Sequence, residues 1–239
     1  MTVARPDPAP APTGTLAFAQ LRLIAQALRH PCAILLFVQL AGLLLYPFLE
    51  NRVGGNALVG AFGILVLALS VRMVRRASGR WWFASAVALL ALALGALAEF
   101  AGFRFLMPWS AGCEAFFYFY AAYVLVGYML ADRRATTDEL YAAGATFTLI
   151  AWAFAYLFVI CQYVQPHSFG AAANADAPRT WTELLFLSFV LLSSTGIGDV
   201  TPLVPFARAL ACLEIFTGVM YLALIVSRLI GLTLLERDR

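Results

Sequence analysis

Most of this chain consists of apolar runs long enough to cross a lipid bilayer as helices. The runs cover residues 31–48, 53–71, 82–101, 113–131, 143–164 and 206–230. A helix needs about 20 apolar residues to cross the hydrocarbon core. With 63% hydrophobic and 12% charged residues, the chain lacks the polar surface of a soluble domain. The sequence therefore predicts an all-α membrane protein with six transmembrane helices.

The basic residues predict the orientation in the membrane. All sixteen are arginine. A cytoplasmic N-terminus places twelve of them inside, at positions 5, 22, 29, 72, 75, 76, 80, 133, 134, 228, 237 and 239, and four outside, at 52, 104, 179 and 208. This distribution satisfies the positive-inside rule, so both termini are expected in the cytoplasm. The net charge of +3 is thus explained by orientation, and no nucleic-acid partner is expected.

A shorter apolar run lies between the fifth and sixth predicted helices. Residues 181–193, WTELLFLSFVLLS, are too few to cross a bilayer. Thr180 followed three residues later by Glu183 forms a capping box, which predicts a helix start. We therefore expect a re-entrant helix that enters from the outside and ends near mid-membrane.

The polar run SSTGIGDVTP, residues 193–202, follows this short helix and must return to the outer face. It reaches that face only if it is extended. Extended backbone at membrane depth is tolerated where it lines a water-filled path. Glycine at 196 and 198 permits backbone angles that turn successive carbonyl oxygens towards one axis, where rings of oxygen replace the hydration shell of a cation. Ser194 adds hydroxyls at the inner entrance, and Asp199 concentrates cations at the outer mouth.

This run resembles the selectivity filter of the potassium channel superfamily, T-T-V-G-Y-G-D-x-x-P. Ser193 and Ser194 correspond to the threonines, Thr195 to the valine and Ile197 to the tyrosine, while Gly196, Gly198, Asp199 and Pro202 are identical. The last predicted helix also resembles that of small bacterial members. Gly218 falls there at the position of the family's gating hinge.

The resemblance implies a homotetrameric potassium channel, which is not an enzyme, embedded in lipid in a bacterial inner membrane. K+ would bind at Ser194, Thr195, Gly196 and Ile197, with Gly198 completing the filter, and the permeant ion would replace any cofactor. The expected organisation comprises four segments. These are a disordered leader at 1–14, an interfacial amphipathic helix at 15–30, a four-helix sensor-like domain at 31–142 and a pore domain at 143–239.

Two departures from the family pattern leave a weakly selective Na+/K+ channel as an alternative. Thr195 introduces a hydroxyl where the family has valine, and Ile197 lacks the tyrosine hydroxyl and ring that brace the filter. Voltage gating by the usual charged helix is not expected, because the fourth apolar run has no basic residue before its inner end.

Glu214 is expected to be functional, since an acidic residue at membrane depth is costly. One interpretation places it behind the filter, protonated and hydrogen-bonded to Ser193, Ser194 or Thr195, where it and Ser193 support the filter. The other places it in the cavity, where it attracts cations. A disulfide between Cys113 and Cys161 is a further open possibility.

Two other functional classes fit poorly. The letters GIGD match the G-x-G-D motif of intramembrane aspartyl proteases, which need a second aspartate inside the membrane. The chain has none in the middle of an apolar run. Subunits of potassium uptake transporters repeat the pore unit within one chain, whereas this sequence has one such unit.

Overall fold

The computed structural model describes residues 30–50, 55–77, 81–100, 102–131, 137–171 and 177–237. These residues form seven α-helices, a 3-10 turn and one pair of short strands. The helices are α1 Pro31–Glu50, α2 Gly55–Ala77, α3 Trp81–Phe100, α4 Met107–Ala131, α5 Thr137–Val164, α6 Trp181–Leu192 and α7 Pro205–Arg237; Arg104–Leu106 form the turn. The strands are β1 Phe169–Gly170 and β2 Thr201–Pro202, which pair antiparallel. The predicted leader and residues 15–29 of the predicted interfacial helix lie outside the described residues.

Three helices in the described part of the chain are long and apolar enough to cross a bilayer. They are Met107–Ala131, Asp138–Val164 and Pro205–Arg228. The apolar parts of α1 and α3, Cys32–Tyr46 and Trp82–Ala98, are shorter than that length. The helical character of the chain agrees with the sequence prediction, while six membrane crossings remain a prediction.

Helix α5 packs against α1, α4, α6 and α7 and so occupies the centre of the molecule. Trp152 and Leu149 are buried along it. A buried hydrogen bond of 2.6 Å joins the Thr148 hydroxyl of α5 to the Gln39 side chain of α1. The four amino-terminal helices and the last two therefore contact each other through α5.

Helix α5 begins before the apolar run that it contains. The run predicted as a span begins at residue 143, whereas the helix begins at Thr137. Residues 137–143 contain no glycine or proline to interrupt it, and Asp138 and Glu139 in the first turn favour a helix amino terminus. Residue 143 consequently lies within this helix.

Helix α6 begins where the capping box predicted. The Thr180 hydroxyl accepts a hydrogen bond from the Glu183 backbone N–H, and Glu183 Oε2 accepts one of 2.7 Å from the Thr180 N–H. Gln162 of α5 also pairs with both backbone groups of Arg179, at 2.8 and 2.9 Å. Twelve helical residues extend about 18 Å, well short of a hydrocarbon core about 30 Å thick.

Candidate ion-conduction site

The first residues of the glycine run, residues 193–195, are fixed by the way α6 ends. The Ser194 N–H donates to the Leu191 carbonyl (3.0 Å) and the Thr195 N–H to the Val190 carbonyl (3.1 Å). This pair of bonds is a Schellman motif, which requires the residue after the cap to adopt a left-handed conformation. Ser194 takes that position with φ of 55°. A left-handed conformation costs a residue other than glycine about 1–2 kcal/mol.

The positive φ angles fall on Ser194 and Gly196 rather than on Gly196 and Gly198. Gly196 has φ of 67°, and Gly198 is not among the positive-φ residues. The helix cap explains the difference, because it places the first left-handed residue at 194. Residues 194 and 196 are left-handed, and Thr195 between them is not. Glycine therefore occupies only one of the two left-handed positions.

Two hydroxyls tie the start of the run back to α6. The Ser193 hydroxyl donates to the Phe189 carbonyl at 2.6 Å. The Thr195 hydroxyl lies 3.3 Å from the Val190 carbonyl and 3.2 Å from the Ser193 hydroxyl. The hydroxyl that distinguishes Thr195 from the valine of the family motif thus contributes to the helix cap.

The middle of the run is exposed in the single chain. Residues 194–199 are all exposed, and 73% of the surface of the apolar Ile197 is accessible. Within the described ranges, the backbone of residues 196–199 has no hydrogen-bond partner. Unpaired backbone carbonyls are strong acceptors. Those of this segment are therefore free to bind a ligand.

The last residues of the run are fixed by the strand pair. Phe169 pairs with Pro202 and Gly170 with Thr201, and the Leu203 N–H donates to the Ser168 carbonyl at 2.8 Å. Val200 is buried in an apolar cluster that includes Phe169. The exposed segment is therefore anchored to α6 at one end and to the loop after α5 at the other.

Glu214 lies behind α6, fully buried, and its hydrogen-bond partner differs from those that the sequence suggested. Its Oε1 contacts the Ser188 hydroxyl in the middle of α6, rather than Ser193, Ser194 or Thr195. Ser188 also lies 2.7 Å from the carbonyl oxygen of Ala151 in α5. A hydroxyl has one hydrogen, and a carbonyl only accepts. With Ser188 donating to Ala151, the contact with Glu214 is a hydrogen bond only if the Glu214 carboxyl group is protonated and donates.

Gly218 contacts the last residue of α6. A Cβ atom at this position would lie 1.9 Å from the Leu192 carbonyl oxygen and 2.8 Å from its carbonyl carbon. These are backbone atoms that cannot rotate away. A Cα hydrogen of Gly218 consequently points at the Leu192 oxygen, an arrangement that forms a weak Cα–H···O bond. The role of Gly218 as a hinge stays a prediction, but the contact alone already requires a glycine.

The remaining predicted residues are placed as follows. Asp199 is exposed next to the buried Val200. Cys113 and Cys161 are both free thiols, so the possible disulfide is absent from this structure. Helix α4 contains no basic residue, in agreement with the expectation from the sequence.

Sequence reasoning missed two contacts. Ser188 is a polar residue within the apolar run LLFLSFVLL. This interruption of the apolar run was the sequence feature that could have indicated a buried hydrogen bond. Arg228 of α7 pairs with Glu139 of α5, with 3.3 Å between Nη2 and Oε2, across a sequence distance that no local pattern reveals. Glu139 is only 4% exposed, so this ion pair joins the start of α5 to the carboxy-terminal part of α7 in a largely buried position.

Comparison with known families identifies the part of the chain that holds this site. Residues 144–233 match the family model described as ion channel. No curated protein and no solved structure gives a significant match to the chain. The matched residues begin in α5, include α6 and the exposed run, and end in α7. The match supports an ion channel domain in this carboxy-terminal part of the chain.

Proposed function

We propose that the protein is a homotetrameric potassium channel whose ion path is lined by residues 194–198 of four chains. One observation carries the proposal. Inside the ion-channel match, a glycine-containing segment with unpaired carbonyls is exposed in the middle and anchored at both ends. Such a segment can present several oxygens to a dehydrated cation without collapsing around it.

Four copies around an axis would stack the carbonyls of residues 195–198 and the Ser194 hydroxyls into rings that replace the water around K+. The carboxyl end of α6 adds the negative end of a helix dipole below these rings. Asp199, exposed at the other end of the run, would raise the local cation concentration. K+ is the transported ion, so the mechanism needs no cofactor.

The surface of α7 supports assembly with other copies and with lipid. Large apolar side chains are exposed along it, namely Phe206, Leu213, Phe216, Val219, Met220 and Val226. In the proposed tetramer they contact neighbouring subunits or acyl chains. We further propose six membrane crossings, a re-entrant α6, cytoplasmic termini and a location in a bacterial inner membrane, as the apolar runs and arginine distribution suggest.

The test is the reversal potential of the purified protein in planar bilayers, with potassium on one side and sodium on the other. A value near the potassium equilibrium potential is expected. The absence of any cation current from correctly assembled protein would refute the proposal.

The second candidate is a weakly selective cation channel, which Thr195 and Ile197 favour. The Thr195 hydroxyl binds within its own chain, and Ile197 has no polar group to brace the filter from outside. A less rigid filter distinguishes less sharply between ions of different size. A reversal potential near zero, with chloride excluded, would select this candidate.

The double variant Thr195→Val with Ile197→Tyr is expected to increase the permeability ratio of potassium over sodium. It restores the aliphatic side chain and the phenol of the family motif, at a cost of about 1 kcal/mol for the lost Thr195 hydrogen bond. Bi-ionic reversal potentials measure the ratio. Thr195→Val with Ile197→Phe is the matched control, because it adds the ring without the hydroxyl. Equal ratios for the wild type and the tyrosine variant would contradict the bracing argument.

A further inference from the structure

The two contacts between α7 and α6 lie one helical turn apart on both helices. Glu214 precedes Gly218 by four residues, and Ser188 precedes Leu192 by four. Residues four apart share one face of a helix. Glu214 meets Ser188, and Gly218 meets Leu192, so both pairs lie on the same two facing surfaces.

The two contacts differ in chemistry and restrict different movements. The Glu214–Ser188–Ala151 chain of hydrogen bonds joins α7, α6 and α5 and fixes the middle of the short helix. The Gly218 contact fixes its last residue, because the backbones of the two helices touch there. A shift of α6 along its axis would break the first contact, and an outward shift of α7 would open the second.

The proposed filter, residues 194–198, starts directly after the second contact. Leu192 is the last residue of α6, and the cap formed by Ser194 and Thr195 follows it. The amides of Ser194 and Thr195 bond to carbonyls in the final turn of α6, so any displacement of that turn moves the first filter residues. Gly218 and Glu214 thus act on the filter through α6, without touching it.

We propose that Glu214 and Gly218 form a two-point clamp that positions the carboxyl end of α6 and, through it, the filter. In this clamp Glu214 acts as a neutral hydrogen-bond donor, and Gly218 is required for close approach of two backbones rather than for bending of α7. The consequence for ion selectivity rests on the proposed channel function, whereas the positioning of α6 does not.

The experiment compares four variants of the full chain in liposomes, Gly218→Ala, Glu214→Ala, Glu214→Gln and Gly231→Ala. Gly231 is the matched control, since it lies in the same helix and a methyl group added there would meet no atom within 4 Å. Two quantities are measured for each variant. These are the potassium-to-sodium permeability ratio and the hydrogen-exchange rate of the Ser194 and Thr195 amides.

Gly218→Ala and Glu214→Ala are expected to lower the permeability ratio by about tenfold, equivalent to about 1.4 kcal/mol of ion discrimination, and to accelerate exchange at both amides. Glu214→Gln should retain the permeability ratio and the exchange rates of the wild type, because its amide can still donate to Ser188. Gly231→Ala should change neither quantity.

A change in open probability alone for Gly218→Ala, with ratio and exchange unchanged, would establish a hinge and overturn the clamp. If Gly218→Ala does not assemble, the comparison of Glu214→Ala with Glu214→Gln tests the clamp. The glutamine variant must then keep the permeability ratio and the exchange rates that the alanine variant loses. A wild type that conducts no potassium would refute the channel function. The exchange rates would still test the clamp.

Discussion

Replacing Gly196 with alanine is expected to abolish potassium flux while the protein still assembles. Gly196 has φ of 67°, which L-alanine adopts at a cost of about 1–2 kcal/mol. The chain can avoid this cost by rotating its backbone at residue 196 to negative φ, since no helix or strand restrains residues 196–199. The rotation would turn the Thr195 carbonyl away from the ion path. Potassium-driven flux into liposomes measures the loss.

Two controls separate this backbone effect from misfolding. Gly127→Ala in α4 adds a methyl group where nothing lies within 4 Å and should conduct normally. D-alanine at position 196, introduced by semisynthesis, favours positive φ and should restore flux. Selective current through the L-alanine variant would refute the proposed carbonyl rings.

Breaking the ion pair between Arg228 and Glu139 is expected to destabilise the folded protein. Arg228→Met removes the ion-pair partner at 3.3 Å from a carboxylate that is only 4% exposed, and loss of one member of a buried pair costs about 3 kcal/mol. At about 2–4 °C per kcal/mol, the Tm in detergent should fall by about 6–12 °C. Thermal unfolding followed by size-exclusion chromatography measures it.

The single variant Glu139→Leu and the double variant Glu139→Leu with Arg228→Met complete a double-mutant cycle. Replacement of a whole buried pair by apolar groups is often neutral or stabilising, so the double variant should recover most of the lost Tm. Arg72→Met serves as a control, because it removes an exposed arginine. If the double variant melts below both single variants, the ion pair is not the source of the loss.

The sequence predicted those features that depend on residues close together in the chain. The capping box at Thr180 and Glu183, the short α6 and the polar run after it all follow from local patterns. The helical nature of the long apolar runs follows in the same way. Each of these predictions depends only on the spacing of residues within a single helix or loop.

The contacts that hold the site join residues far apart in sequence, and no local pattern encodes them. Ser188 and Glu214 are 26 residues apart, and Glu139 and Arg228 are 89 apart. The left-handed conformation of Ser194 was missed for another reason. Glycine adopts positive φ most easily, so the glycines were the expected left-handed positions. The geometry of the helix cap instead determines which position must be left-handed.

The strand pair at Phe169 and Pro202 has a consequence for the tolerance of the chain to changes in length. A surface loop absorbs an inserted residue by bulging, because its closure entropy changes slowly with length. In the segment from Ser193 to Val200 such a bulge would shift the unrestrained residues 196–199 relative to the two anchored ends. One residue added or removed there would change which carbonyls face the exposed side. The number of residues in this segment is therefore as strict a requirement as their identity.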